Sequence, residues 1–277
     1  MAEQYEKKEL RQHIYDTPDT YVGGIDKINE VLPILNDNKI VFKEIEYIPA
    51  LLNIFNEILV NARDQIVRLQ GQKGENIIQV SQIKINFNED NSITIQNDGN
   101  GITIKKHEKE KIYIPQLIFG ELLTSSNYKK DEKRIVGGKN GYGAKLANIF
   151  STEFKITTIY DGKKYVQEFR NNMNEKDKPS ITSCKTKPYT EISFKPDLNR
   201  FGMKKLDKDI IGLMSRRVID TTACTEKYLS VELNGNKLLS KTLAKYVNYY
   251  IQDKEVFTLK ANNYWEFSLS SSNENKL

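Results

Sequence analysis

The sequence is poor in the residues that most directly betray a site. Its 277 residues contain two cysteines, two histidines and one tryptophan. Cys184 and Cys224 lie far apart with no metal-ligand spacing, and His13 and His107 accompany neither, which argues against a zinc site and against a disulfide framework. No run approaches the ~18 apolar residues of a membrane span, and the start, MAEQYEKKEL, lacks the apolar core of a signal peptide. An intracellular, reducing compartment is the expectation. Charge of one sign is missing too, since 42 Lys and Arg face 37 Asp and Glu for a net +5, and the runs KKHEKEK (105–111) and KKDEKR (129–134) are interrupted by acids. A nucleic-acid partner is permitted, not demanded.

With 38% hydrophobic residues, the chain suffices for one substantial domain, or one domain and the beginning of another. Residues 46–70, EYIPALLNIFNEILVNARDQIVRLQ, place Pro49 near a helix start and apolar residues at 52, 55, 58, 59, 62, 66 and 69, the spacing of a buried helix. QIKINF (82–87) and SITIQ (92–96), joined by Asn88 to Asn91, predict a hairpin that runs into NDGNG. A helix is expected over 113–123, strands over 154–160, 164–169 and 189–196, a helix over 206–224, and an Asn-Gly hairpin within 227–238. This mixture lacks the alternation of a doubly wound sheet. It predicts an α/β fold of the α+β type, a two-layer sandwich whose mixed sheet is covered by helices on one face.

Three stretches carry polar chemistry. On the long helix Glu57, Asn61 and Asp64 stand at offsets of zero, four and seven, which at about 100° per residue puts them in one narrow stripe. A solvated face is the plain reading of such a stripe; Ile54 and Val60 beside it point to a pocket. NDGNG (97–101) is an ordinary turn composition, yet after a strand an aspartate there can accept from an exocyclic amine while the glycines let backbone approach a flat ring. VGGKNGYGAKLANIF (136–150) resembles a phosphate cradle but fails two templates. Ala144 stands where a P-loop needs lysine and Leu146 where it needs a hydroxyl, and the order Gly138-x-x-Gly141-x-Gly143 reverses a dinucleotide fingerprint. What remains is a glycine loop whose N–H groups, with the start of a helix from about Ala144 and the charge of Lys145, could surround an anion; a mobile surface loop is the alternative.

In this order, EILVNARD, NDGNG, TSSNY and GGKNGYGAK resemble the ATPase region of eukaryotic-type type IIA DNA topoisomerases, within the GHKL superfamily of gyrase, heat-shock chaperone, histidine kinase and mismatch-repair ATPases. The resemblance extends through nearly the whole chain, including KKELRQHIYDTPDTYVGG and FKPDLNRFGMKKLDKDI. It implies a Bergerat-type fold, ATP and Mg²⁺ as ligands, and closure of a homodimer gate around double-stranded DNA. By motif, Glu57 resembles the general base and Asn61 the protein ligand of Mg²⁺. Asn97 falls at the base pocket, with Asp64 and Asp98 as adenine or water-network partners. Ser125, Ser126 and Asn127 resemble the ribose and phosphate triplet, and Gly138, Lys139, Asn140, Gly141, Tyr142, Gly143, Ala144 and Lys145 the lid. Tyr5 resembles an aromatic that reaches the nucleotide of a partner subunit.

The resemblance divides the chain into an ATPase domain over 1–254 and the first strands of a transducer domain over 255–277. A further lysine that the family places downstream, and the cleavage machinery, have no counterpart here, so a fragment of a larger enzyme is expected. Two alternatives stay open: another ATPase of the superfamily, and a nucleotide-binding module with little hydrolysis of its own.

Overall fold

The computed structural model describes residues 8–70, 72, 74, 76–122, 142–251, 255–262 and 265–271. Two short helices, α1 (Leu10–Asp16) and α2 (Pro18–Tyr21), precede a hairpin of β1 (Ile28–Asn36) and β2 (Lys39–Tyr47). Asp37 and Asn38 close it with φ of 46° and 66°, the paired left-handed conformation of a tight hairpin turn. The long helix α3 (Pro49–Gln70) follows, with proline at its first position and Leu51, Ile54, Phe55, Ile58, Leu59, Ile66 and Leu69 buried.

The chain then forms β3 (Gln82–Phe87), β4 (Ile93–Asp98), α4 (Ile114–Gly120), α5 (Gly143–Ile149), β5 (Ser151–Tyr160) and β6 (Lys163–Arg170). Two short strands, β7 (Glu175–Lys176) and β8 (Ser180–Ser183), lead to β9 (Tyr189–Pro196). Helix α6 (Lys208–Ala223) starts at Asp207, whose carboxylate accepts from the N–H groups of Asp209 and Ile210 at 3.0 and 2.9 Å. After β10 (Ser230–Leu233), β11 (Asn236–Lys237) and α7 (Leu243–Val247) come β12 (Val256–Lys260) and β13 (Glu266–Ser270).

The main sheet runs β11-β10-β3-β4-β9-β5-β6-β7, with β8 on β6. β10 lies parallel to β3 and the other pairs are antiparallel, so the sheet is mixed as expected. Along its strands Ile83, Ile85, Ile93, Ile95, Ile156, Ile192 and Phe194 are buried in one core with α3, α5 and α6, while Lys84, Thr94, Glu191 and Ser193 on the alternate face are half-buried. β1–β2 and β12–β13 are separate two-stranded sheets. Among the described residues no helix is long and apolar enough to cross a membrane.

Candidate functional site

A cleft of about 730 Å³ opens between α3, the turn after β4, and α4. Asn61 and Asn97 line it, with Ile58, Ala62, Ile95 and Ile192 as apolar surface and Thr190 and Tyr160 from the sheet. An apolar floor under converging polar side chains is an arrangement that suits a small-molecule site.

The turn after β4 is built to close tolerances. Gly99 has φ +85°, and a Cβ there would lie 2.9 Å from the Val80 nitrogen. At Gly101 a Cβ would come within 2.6 Å of Thr158 Oγ1 and would collide with the Ile159 carbonyl. The glycines expected to admit a flat ligand are therefore required first by the protein's own backbone. Asp98 is similarly engaged, since its carboxylate accepts from the N–H groups of Ser81 and Gln82, each at 2.7 Å, and from Ser81 Oγ. It braces the start of β3 and does not line the cleft. Asn97, 5% exposed, donates Nδ2 to the Asp98 carbonyl at 3.0 Å, which leaves its amide oxygen as an acceptor for a ligand amine.

Glu57 and Asp64 share the polar stripe of α3 with Asn61 but are not part of the cleft wall. Asp64 is 1% exposed, with an Arg63 Nη1 contact at 3.6 Å. Burial, and secondarily the Asp64 charge, push the Glu57 carboxyl above the ordinary glutamate value. Its carboxylate lies against the first residue of α5: a Cβ on Gly143 would sit 2.6 Å from Glu57 Cδ and collide with Oε2. The glycine loop and the α3 glutamate, 86 residues apart in sequence, thus meet.

Of the loop residues, Tyr142 to Lys145 are described. Tyr142 places its ring 6.3 Å from that of Tyr21; Ala144 packs in the core at 8% exposure, and Lys145 is buried at 2%. Burial lowers the Lys145 ammonium to about 8, with the Glu121 charge opposing the shift. Tyr5, Ser125, Ser126, Asn127, Gly138, Lys139, Asn140 and Gly141 lie outside the described residues.

The cleft wall also contains residues that the motifs did not single out. Gln65 and Arg68 line it, and Gln65 donates Nε2 to the Asn100 carbonyl at 3.2 Å. Asn100 accepts from the Ile78 N–H and donates to the Asn76 carbonyl, fastening the segment after α3 to the turn. Offsets of four and seven from Asn61 were the available signal for Gln65 and Arg68. Among the described residues no group of three or more His, Cys, Asp or Glu is placed to hold a metal ion.

The family model described as histidine kinase-, DNA gyrase B-, and HSP90-like ATPase matches residues 47–200. The chain is 48% identical over 261 residues to DNA topoisomerase 2 of Candida glabrata, an alignment that covers 92% of this chain and 18% of that protein. It is 42% identical to DNA topoisomerase 2 of Arabidopsis thaliana, covering 98% of this chain and 19% of that one. The chain thus spans about a fifth of the length of these relatives. Its structure matches the crystal structure of the ATPase region of Saccharomyces cerevisiae topoisomerase II with a TM-score of 0.89 and 42% identity, over 99% of this chain and 72% of that one.

Proposed function

Because this chain belongs to the histidine kinase-, DNA gyrase B-, and HSP90-like ATPase family, and within it to the topoisomerase II ATPase regions, we propose that it binds and hydrolyses ATP as the gate of a dimeric DNA topoisomerase. The observation that carries this reading is the convergence of Asn61 and Asn97 on one cleft, with Glu57 one helical turn before Asn61 and in contact with the glycine loop.

In this reading the adenine amine donates to the Asn97 amide oxygen, and the apolar floor at Ile95 and Ile192 packs against the ring. The triphosphate runs toward α5, where the loop N–H groups and Lys145 meet its charge. Glu57 accepts a proton from the attacking water; burial raises its carboxyl above the ordinary glutamate value and so makes it a stronger base than a solvated glutamate. Phosphoryl transfer needs chiefly position and electrostatics, so the absence of histidine from the motifs is no obstacle. A single amide oxygen at Asn61 suits Mg²⁺, which takes oxygen ligands and keeps waters and substrate phosphates rather than requiring a protein cage. Asn61 would hold it by its amide oxygen, and the ion would neutralise charge among the phosphates.

ATP binding would favour the closed dimer, with Tyr5 crossing to the partner and a DNA duplex enclosed. Glu57→Ala is the test. Turnover should fall at least ~100-fold while a non-hydrolysable ATP analogue still binds within a few-fold; undiminished hydrolysis would remove Glu57 from its role. A second reading is nucleotide binding with little turnover by this chain alone. Analogue binding without steady-state phosphate release would select it. Sedimentation with and without the analogue tests the dimer.

A further inference from the structure

Helix α3 is held between two neighbours. Its Glu57 side meets α5 at Gly143, where not even a Cβ fits. The adjacent residue, Asn56, faces α6 and accepts from Arg217 Nε at 3.3 Å. Adjacent residues of α3 thus touch α6 and α5.

Arg217 is itself held by an acid shared with α7. Its Nη1 donates to Asp220 Oδ2 at 2.9 Å, and Arg216 Nε approaches the same oxygen at 3.3 Å. The other oxygen, Asp220 Oδ1, accepts from the Tyr246 hydroxyl of α7 at 2.8 Å. Tyr246 and Tyr250 pair their hydroxyls at 3.0 Å with ring centroids 5.4 Å apart. Helix α7 contributes no buried residue, yet it packs on α6 and on both strands of the β12–β13 sheet. A helix without a buried face depends more on such polar contacts for its place than one anchored in the core.

We propose that this clasp is a positioning device, in which Tyr246 and Asp220 fix Arg217, and Arg217, through Asn56, fixes the turn of α3 that carries Glu57. The proposal rests on the reading of Glu57 as the base. Displacement of α7 with the β12–β13 sheet then loosens Asp220 and Arg217, and the glutamate loses its fit beside Gly143. Tyr246, Asp220 and Arg217 are positioning residues; none lines the nucleotide cleft. A chain of contacts becomes a coupling when changes at its ends are non-additive.

The test is a double-mutant cycle between Tyr246→Phe, which removes one hydroxyl, and Asn56→Ala, in the 277-residue chain, read in denaturation free energy and in ATPase kinetics. Asn56 and Tyr246 bond to different members of the clasp. Tyr246→Phe is expected to lower kcat about 3- to 10-fold with KM within about twofold, and to have little further effect once Asn56 is alanine. Arg217→Lys, which keeps the charge and most of the packing, should retain more kcat than Arg217→Ala. Additive effects on denaturation overturn the relay. Unchanged kcat in Tyr246→Phe, where Glu57→Ala is inactive, overturns the positioning role; an active Glu57→Ala refutes the base assignment instead.

Discussion

Gly143→Ala separates folding from chemistry at this site. The residue is the first of α5, and its φ is not in the positive range, so alanine can adopt the backbone and is a better helix former by ~1 kcal/mol. What alanine cannot have is the space taken by Glu57. Its Cβ would lie 2.6 Å from Glu57 Cδ and 3.3 Å from Cγ, whereas carbon atoms settle at about 3.5 to 4.0 Å. The carboxylate must therefore retreat by about 1 Å, which its flexible side chain can do with little loss of stability. A misplacement of about 1 Å in a reacting group costs ~100-fold in rate. The expected result is a variant with an unfolding midpoint equal to or above that of the parent, analogue binding within a few-fold, and turnover about 100-fold lower. The assays are denaturant unfolding, calorimetric titration with a non-hydrolysable ATP analogue, and steady-state phosphate release. Parental turnover in a well-folded variant would refute the placement of Glu57 at the reacting water.

Asn97→Ala should weaken analogue binding by about 10- to 100-fold, the equivalent of ~1–3 kcal/mol for a buried hydrogen bond left unmade; unaltered affinity in calorimetry would move the base out of this part of the cleft. Glu57 and Lys145 give opposite pH limbs. The raised Glu57 carboxyl must lose its proton to act, so kcat should rise with pH along a limb centred above the ordinary glutamate value of 4.5, and that limb should disappear in Glu57→Gln. Lys145 titrates near 8, below its unfolded value of 10.5, so burial of its charge costs stability below about pH 8 and the cost is relieved between there and 10.5. Analogue affinity should fall above pH 8, with proton uptake on binding seen by calorimetry in buffers of different ionisation heat; a flat profile identical to that of Lys145→Met would contradict a phosphate role.

What the sequence discloses follows from how locally each feature is determined. The α3 helix, β9 and the turn at Asn234-Gly235 are specified by spacing and turn chemistry within a few residues, and all lie where the pattern puts them. The β1–β2 hairpin is less legible because Pro33 interrupts its alternation and its turn uses Asp37-Asn38 rather than a glycine pair. The sheet order, which inserts β9 between β4 and β5, depends on contacts across about a hundred residues and has no local signature. At the site, Asn61 and Asn97 are found from motif and stripe, whereas Tyr160 and Thr190 reach the cleft only through that sheet order. Asp98 shows the converse. Its composition suggests a ligand group, while tertiary structure commits both its oxygens to Ser81 and Gln82.

The most direct measurement is a structure of the chain with a non-hydrolysable ATP analogue and Mg²⁺. The adenine amine is expected on the Asn97 amide oxygen, the metal on Asn61, and the γ-phosphate toward the start of α5 with a water between it and Glu57. An analogue bound elsewhere, or in this cleft with its γ-phosphate directed away from Glu57 and Gly143, would contradict it.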